Sequence, residues 1–263
     1  MGLADFGRWL FAVGVIGIGA LCLLHGNLAM QWQPIPDSVP MHAQIGYLTG
    51  AILVICGAGL FARRTAGFAA PVLVIAWLVL FIVPVIVGLV DGYKSVAGWL
   101  PIAEDGTMLV GAALIAANVI TPGSLFDLPF FTGDVSLTVT RMGFGVACLI
   151  FGLSHFVYAD FTAGMIPGFV PQHLAFAYIT GAGHTLTGLA IISGIGSRLA
   201  ATCEAIMMSL FVLLVHIPMV VVPLKPDAVQ ETWTLLFVAM TLSASAWSLA
   251  ANLSDRPWGL KRG

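Results

Sequence analysis

The chain has 263 residues, a formal net charge of −2 at pH 7, 59% hydrophobic and 8% charged residues, and a mean hydropathy of +1.02. These values exclude a soluble globular domain and a disordered chain, and the charge gives no basic surface for nucleic acid. An all-α integral membrane protein is the class that remains.

A spanning helix needs about 20 mostly apolar residues. Eight stretches qualify, at 7–27, 42–61, 68–90, 102–120, 141–159, 172–193, 199–222 and 230–251. Runs such as Pro71 to Val90 are apolar on every face, which excludes the alternating pattern of a barrel. The first stretch follows Arg8 as a secretory leader would, yet no small-x-small cleavage site follows Leu24 at a suitable distance, so it reads as a retained helix.

An eight-span arrangement puts Arg8, Arg63, Arg64, Arg141, Arg198, Arg256, Lys261 and Arg262 on one side and Lys94 and Lys225 on the other. By the positive-inside rule both termini are expected in the cytoplasm, in a multi-pass protein of the inner (plasma) membrane. The other face carries Asp37, Asp91, Glu104, Asp105, Asp160, Asp227 and Glu231. Trp32, Trp99 and Trp233 mark that interface, and Trp9, Trp247 and Trp258 mark the inner one. Glu104 with Asp105, and Glu231, read as acidic residues at the starts of the fourth and eighth helices.

The chain also reads as a duplication. At an offset of 131, Pro36/Pro167, Val39/Val170, Pro40/Pro171, His42/His173, Tyr47/Tyr178, Thr49/Thr180, Gly50/Gly181, Ala51/Ala182 and Gly57/Gly188 are identical. At 133, Arg8/Arg141, Phe11/Phe144 and Gly19/Gly152 match, and Pro84 and Pro218 are expected to kink the third helix of each half. The organisation expected is a first four-helix unit over 1–120, a cytoplasmic linker over 121–140, a second unit over 141–252 and a tail over 253–263. Four spans per unit give both copies one orientation, unlike an inverted-repeat carrier. Glycines of each first helix (Gly14, Gly17, Gly19; Gly143, Gly145, Gly152) permit the two bundles to approach closely.

Polar residues inside the bilayer are costly and therefore informative. His173, Thr180, His184 and Thr187 fall within about 40° on one helix face at 100° per residue. The first unit reads His42, Thr49, Leu53 and Cys56 there, so the deep histidine is peculiar to the second. With His155 and His216, these residues are candidates for ligand binding, through proton relay to a quinone head group or, less favoured, haem ligation. The competing reading is that they hydrogen-bond neighbouring helices. Glu204 is expected to form a structural ion pair with Arg141. Cys22, Cys56, Cys148 and Cys203 show no metal or disulfide spacing and read as packing residues, so no metal site is expected.

Residues 141–219 resemble the DoxX-like membrane protein family. The resemblance is carried by Arg141, by Phe151-Gly152-Leu153-Ser154-His155-Phe156, by Ile166-Pro167 and Val170-Pro171, by Tyr178-Ile179-Thr180-Gly181, by Gly188-Leu189 and by Arg198-Leu199-Ala200-Ala201. It implies a four-helix membrane bundle, of which this chain is a fused pair. It also implies membrane subunits of a quinone-linked redox system working with a redox protein partner. One departure stands out: some relatives carry a carboxylate where His184 stands. The expected function is a membrane component of such a system, the alternative a non-enzymatic scaffold or lipophile-binding protein; whether the chain is an enzyme is left open.

Overall fold

The computed structural model describes residues 2–29, 39–91, 94–222, 225 and 228–259. Trp32, Pro34, Pro36, Asp37, Asp227, Lys261 and Arg262 lie outside the described residues, as does the side chain of Asp91. The helices are α1 (Leu3–His25), α2 (His42–Gly59), α3 (Arg63–Asp91), α4 (Val96–Val119), α5 (Pro129–Thr132), α6 (Asp134–Val157), α7 (Ala159–Met165), α8 (His173–Ser193), α9 (Ser197–Phe211), α10 (Ile217–Val221) and α11 (Val229–Asn252). A π-helical turn, Val212–His216, joins α9 to α10. Eight of these segments, α9 to α10 counted as one, are long and apolar enough to cross a membrane.

The starts of the fourth and fifth spans differ from expectation. The fourth span begins at Val96, because Pro101 lies inside the helix instead of opening it; the residues before it, from Val96 to Leu100, continue the turn. Asp105 is consequently the tenth residue of α4 and fully buried, so neither it nor Glu104 is a helix-start residue. Glu231, by contrast, does lie in the first turn of α11. The fifth span begins at Asp134, well before Arg141, and the segment before it is interrupted by α5. Pro84 lies within an unbroken α3, whereas Pro218 follows the π turn. A proline lacks the N–H that would bond the carbonyl four residues back, and widening the preceding turn is one way to absorb that loss.

Packing follows a closed order around the bundle. α1 lies on α2, α2 on α3 and α3 on α4; α6 lies on α8, α8 on α9 and α9 on α11. α4 packs on α6 and α11 on α1, so the first helix of each run of four lies against the last helix of the other. α4 and α11 also meet. α11 is the most enclosed span, 72% of its most apolar window being buried. Its run of Thr241, Ser243, Ala244, Ser245, Ala246 and Ser248 is buried, and small side chains allow such close approach without a hydrophobic drive from lipid. Three of the hydroxyls bond their own helix, Thr241 to Phe237 O, Ser245 to Thr241 O and Ser248 to Ala244 O. A side chain in lipid with no polar neighbour has no cheaper acceptor.

Glycine sets the tightest crossings. A Cβ on Gly50 would stand 2.7 Å from Gly19 O between α1 and α2. One on Gly152 would stand 2.8 Å from Gly181 O between α6 and α8. Of the first-helix glycines, Gly14 and Gly17 face α11 at Thr241 and Phe237, whereas Gly19 faces α2 and Gly145 and Gly152 face α8. Met41 (φ 62°) and Gln172 (φ 55°) are the non-glycine residues of positive φ among the described residues, and each immediately precedes the histidine that opens α2 or α8. Cys22, Cys56 and Cys148 are buried free thiols, consistent with packing; Cys203 is exposed on the outside of α9 and packs into nothing.

Candidate functional site

α8 and α9 form an antiparallel hairpin whose turn contains Gly194 (φ 76°) and Gly196 (φ 64°), conformations that side chains resist. His184 lies nine residues before the end of α8 at Ser193 and Glu204 seven after the start of α9 at Ser197, so at 1.5 Å per residue they stand about 14 Å and about 11 Å from the turn, at similar depth. His184 Nδ1 and Glu204 Oε1 share a hydrogen bond of 2.6 Å. Both residues are 1% exposed. The separation is that of a charge-assisted bond, and a proton sits between the two atoms whichever of them holds it.

A second histidine adjoins the pair. The ring centroid of His155, from the last turns of α6, is 4.9 Å from that of His184. His155 Nδ1 donates to Phe151 O at 2.8 Å, since a carbonyl can only accept; Nε2 is thereby the atom that can take up or release a proton. Phe151 meets His184 edge-on at 5.7 Å, and Phe211 of α9 lies 5.9 Å from His184 and 6.2 Å from His155. The fully buried Cys148 thiol lies close enough to Glu204 to interact with its charge. Glu204 Oε2 is buried without a hydrogen-bond partner, a state that buried polar atoms rarely occupy. Three helices thus converge on a half-buried histidine, a buried histidine and a buried carboxyl in succession.

The expected Arg141–Glu204 ion pair is not formed; His184 is the partner of Glu204. The paired glycines Gly145 with Gly188 and Gly152 with Gly181 fix the register of α6 against α8. In that register, residue 149 is level with His184, and Arg141 lies eight residues, about 12 Å, further toward the other end of the bundle. Its Nε is buried without a partner.

Nor does the polar stripe of α8 act as one site. Thr180 donates to Phe176 O at 2.9 Å in its own helix. His173 opens α8 and bonds Pro167 O at 3.2 Å. It lines a shallow surface depression with Gln172, Leu174, Ala175 and Tyr178, eleven residues from His184. Thr187 is buried one turn beyond His184. His216 belongs to the π turn, twelve residues beyond Glu204, and its Nδ1 is buried without a partner. Of the candidates, the fold brings together His155, His184 and Glu204. Phe151, Phe211 and Cys148 complete the cluster: Cys148 and Phe151 precede His155 by seven and four residues on α6, and Phe211 follows Glu204 by seven on α9, so helical spacing ties each to a member, while the similar depth of His184 and Glu204 about the glycine turn relates the helices to one another. Among the described residues no group of three or more His, Cys, Asp and Glu side chains is arranged to hold a metal ion.

The family model of DoxX matches residues 136–217, from the third residue of α6 to the first of α10. This segment belongs to the DoxX family. It contains His155, His184 and Glu204, so the site lies within the matched segment. No curated protein and no solved structure matches the chain.

Proposed function

We propose that this DoxX-family membrane protein is the membrane component of a quinone-linked redox system, with His155, His184 and Glu204 serving as its proton-handling site. The reading is carried by one observation, the 2.6 Å His184–Glu204 bond with a second imidazole 4.9 Å away, all within the spans. Intramembrane ionisable groups that pair with one another mark proton or ligand pathways. A quinone, when bound, supplies a two-electron, two-proton couple. The residues present fit its head group in chemistry: imidazole and carboxyl atoms to hydrogen-bond carbonyl oxygens, and the Phe151 and Phe211 rings to face an apolar ring.

His155, being half-buried, exchanges protons with the surroundings, and the buried His184–Glu204 pair holds the proton next in line. Electrons would come from a redox protein partner, the arrangement that the resemblance to quinone-linked membrane subunits implies. The duplication supplies the frame: the closed packing order, the Gly19–Gly50 and Gly152–Gly181 crossings and the positive φ of Met41 and Gln172 all support a fused pair of four-helix units. The arginine distribution supports cytoplasmic termini and placement in the inner (plasma) membrane.

A non-enzymatic scaffold is the second reading, favoured by the near-complete burial of His184 and Glu204 and by the depression at His173, which neither of them lines. Extraction of the purified protein's bound lipids separates the two. A copurifying quinone, lost in His184→Leu but retained in Arg141→Gln, is the expected result; no quinone in the wild type, or equal quinone in the His184 variant, would leave the scaffold.

A further inference from the structure

The other end of the bundle carries a site that the histidine cluster does not explain. The first turns of α1 and α3 and the last turn of α4 surround a partly open cavity of about 160 Å³, lined by Ala4, Asp5, Arg8, Arg63, Asn118 and Val119, with Ile115 beneath. At roughly 30 Å³ for each water-sized group, it has room for about five heavy atoms, the content of a phosphate group.

Its charge is set by two guanidinium groups against one carboxylate. Arg8 is 4% exposed, and two of its five N–H donors are accounted for by Leu60 O and, at 3.0 Å, Asp5 Oδ1. Arg63 Nη2 reaches the same Asp5 oxygen at 3.2 Å, while its side chain is 73% exposed and able to swing toward a ligand. Asp5 is thus occupied by both cations, and the lining keeps a surplus positive charge beside further N–H donors. A structural ion pair alone needs one arginine; a second, mobile one at the mouth of a cavity is what bidentate anion recognition uses. The position matters too. Asp5, Arg63 and Asn118 stand at the ends of spanning helices, the level at which lipid phosphates lie, and Ile115 and Val119 offer apolar contact for the carbons attached to a phosphodiester.

We propose that this cavity binds the phosphate of an anionic phospholipid, through Arg8 and Arg63. The site locks α1, α3 and α4 together at that end of the bundle, independently of any redox role.

Thermal unfolding of the full-length protein in detergent micelles tests it. Micelles containing phosphatidylglycerol are expected to raise the melting temperature by about 4 °C or more over micelles containing phosphatidylcholine. Arg63→Glu breaks the ion pair with Asp5 and lowers the melting temperature in every micelle, so the rise is read against the variant's own phosphatidylcholine value; it should be mostly gone there, and in Asn118→Asp at the rim as well. Arg64→Glu, next in the chain but outside the cavity, should keep it. Sodium phosphate compared with sodium chloride at equal ionic strength distinguishes the source: protection equal to that of the lipid assigns the same phosphate site to the free ion, and no protection assigns it to the lipid. A rise no larger with phosphatidylglycerol than with phosphatidylcholine, absent any effect of phosphate, would overturn the proposal, as would loss of the rise in Arg64→Glu to the same extent as in Arg63→Glu.

Discussion

Replacing His184 by leucine is expected to destabilise the protein by about 3–5 kcal/mol, the cost of removing one partner of a buried acid–base pair. Glu204 would then have neither carboxyl oxygen partnered, in a site 1% exposed and walled by apolar helices. Glu204→Gln should cost far less, about 1 kcal/mol, because the amide still offers a polar atom to His184 Nδ1. The informative variant is the double one. At the offsets of the proposed duplication, His184 corresponds to Leu53 and Glu204, at the spacing of Pro84 to Pro218, to Ala70. Both are buried, at 1% and 0% exposure. His184→Leu with Glu204→Ala therefore replaces both buried polar side chains by apolar ones, leaving no unpartnered polar atom of the pair, and should be more stable than His184→Leu alone. Denaturant unfolding in micelles measures these variants together with Glu204→Ala alone. A double variant whose loss equals the sum of the His184→Leu and Glu204→Ala losses would mean that the two side chains are not coupled.

The second large effect comes from a glycine. A Cβ on Gly181 would stand 2.8 Å from His155 Cβ, 3.1 Å from Phe156 Cε1 and 3.3 Å from Gly152 O. Gly181→Val must therefore push α6 away from α8, with an overpacking cost of about 1–3 kcal/mol. It carries His155 away from His184 at the same time. Gly50→Val is the matched control, since a Cβ there meets Gly19 O at 2.7 Å in the first half, where no histidine pair depends on the crossing. Both variants should lose similar stability by thermal unfolding. Binding of a short-chain quinone should fall in Gly181→Val and persist in Gly50→Val; equal loss in the two would show that general loosening, not the placement of His155, governs binding.

These two effects also mark what was legible in the sequence. Apolar runs of sufficient length announce spans regardless of tertiary context, so all eight were evident, with ends displaced where proline or an acidic residue lies inside a helix. Pro101 and Asp105 show why: composition alone cannot tell a helix-start acid from one ten residues deep. His184 was recognisable as buried and peculiar to the second half. Its partner was not, because helical phase relates residues on one helix, whereas the His184–Glu204 bond joins two helices. Depth from the shared turn carries that information, and by the same measure Arg141 is about 12 Å out of level. The stripe of His173, Thr180, His184 and Thr187 was geometrically sound, yet a face 14 residues long spans about 21 Å, too far to serve one small ligand.

If the Glu204 carboxyl, held by His184, takes part in proton transfer with a bound quinone, its vibrations must respond when the quinone changes oxidation state. Infrared difference spectra of the purified protein, recorded as an added short-chain quinone is reduced chemically, should show a change in a carboxyl stretching band that disappears in Glu204→Gln while the quinone bands remain. Identical difference spectra for wild type and Glu204→Gln would exclude Glu204 from the proton transfer.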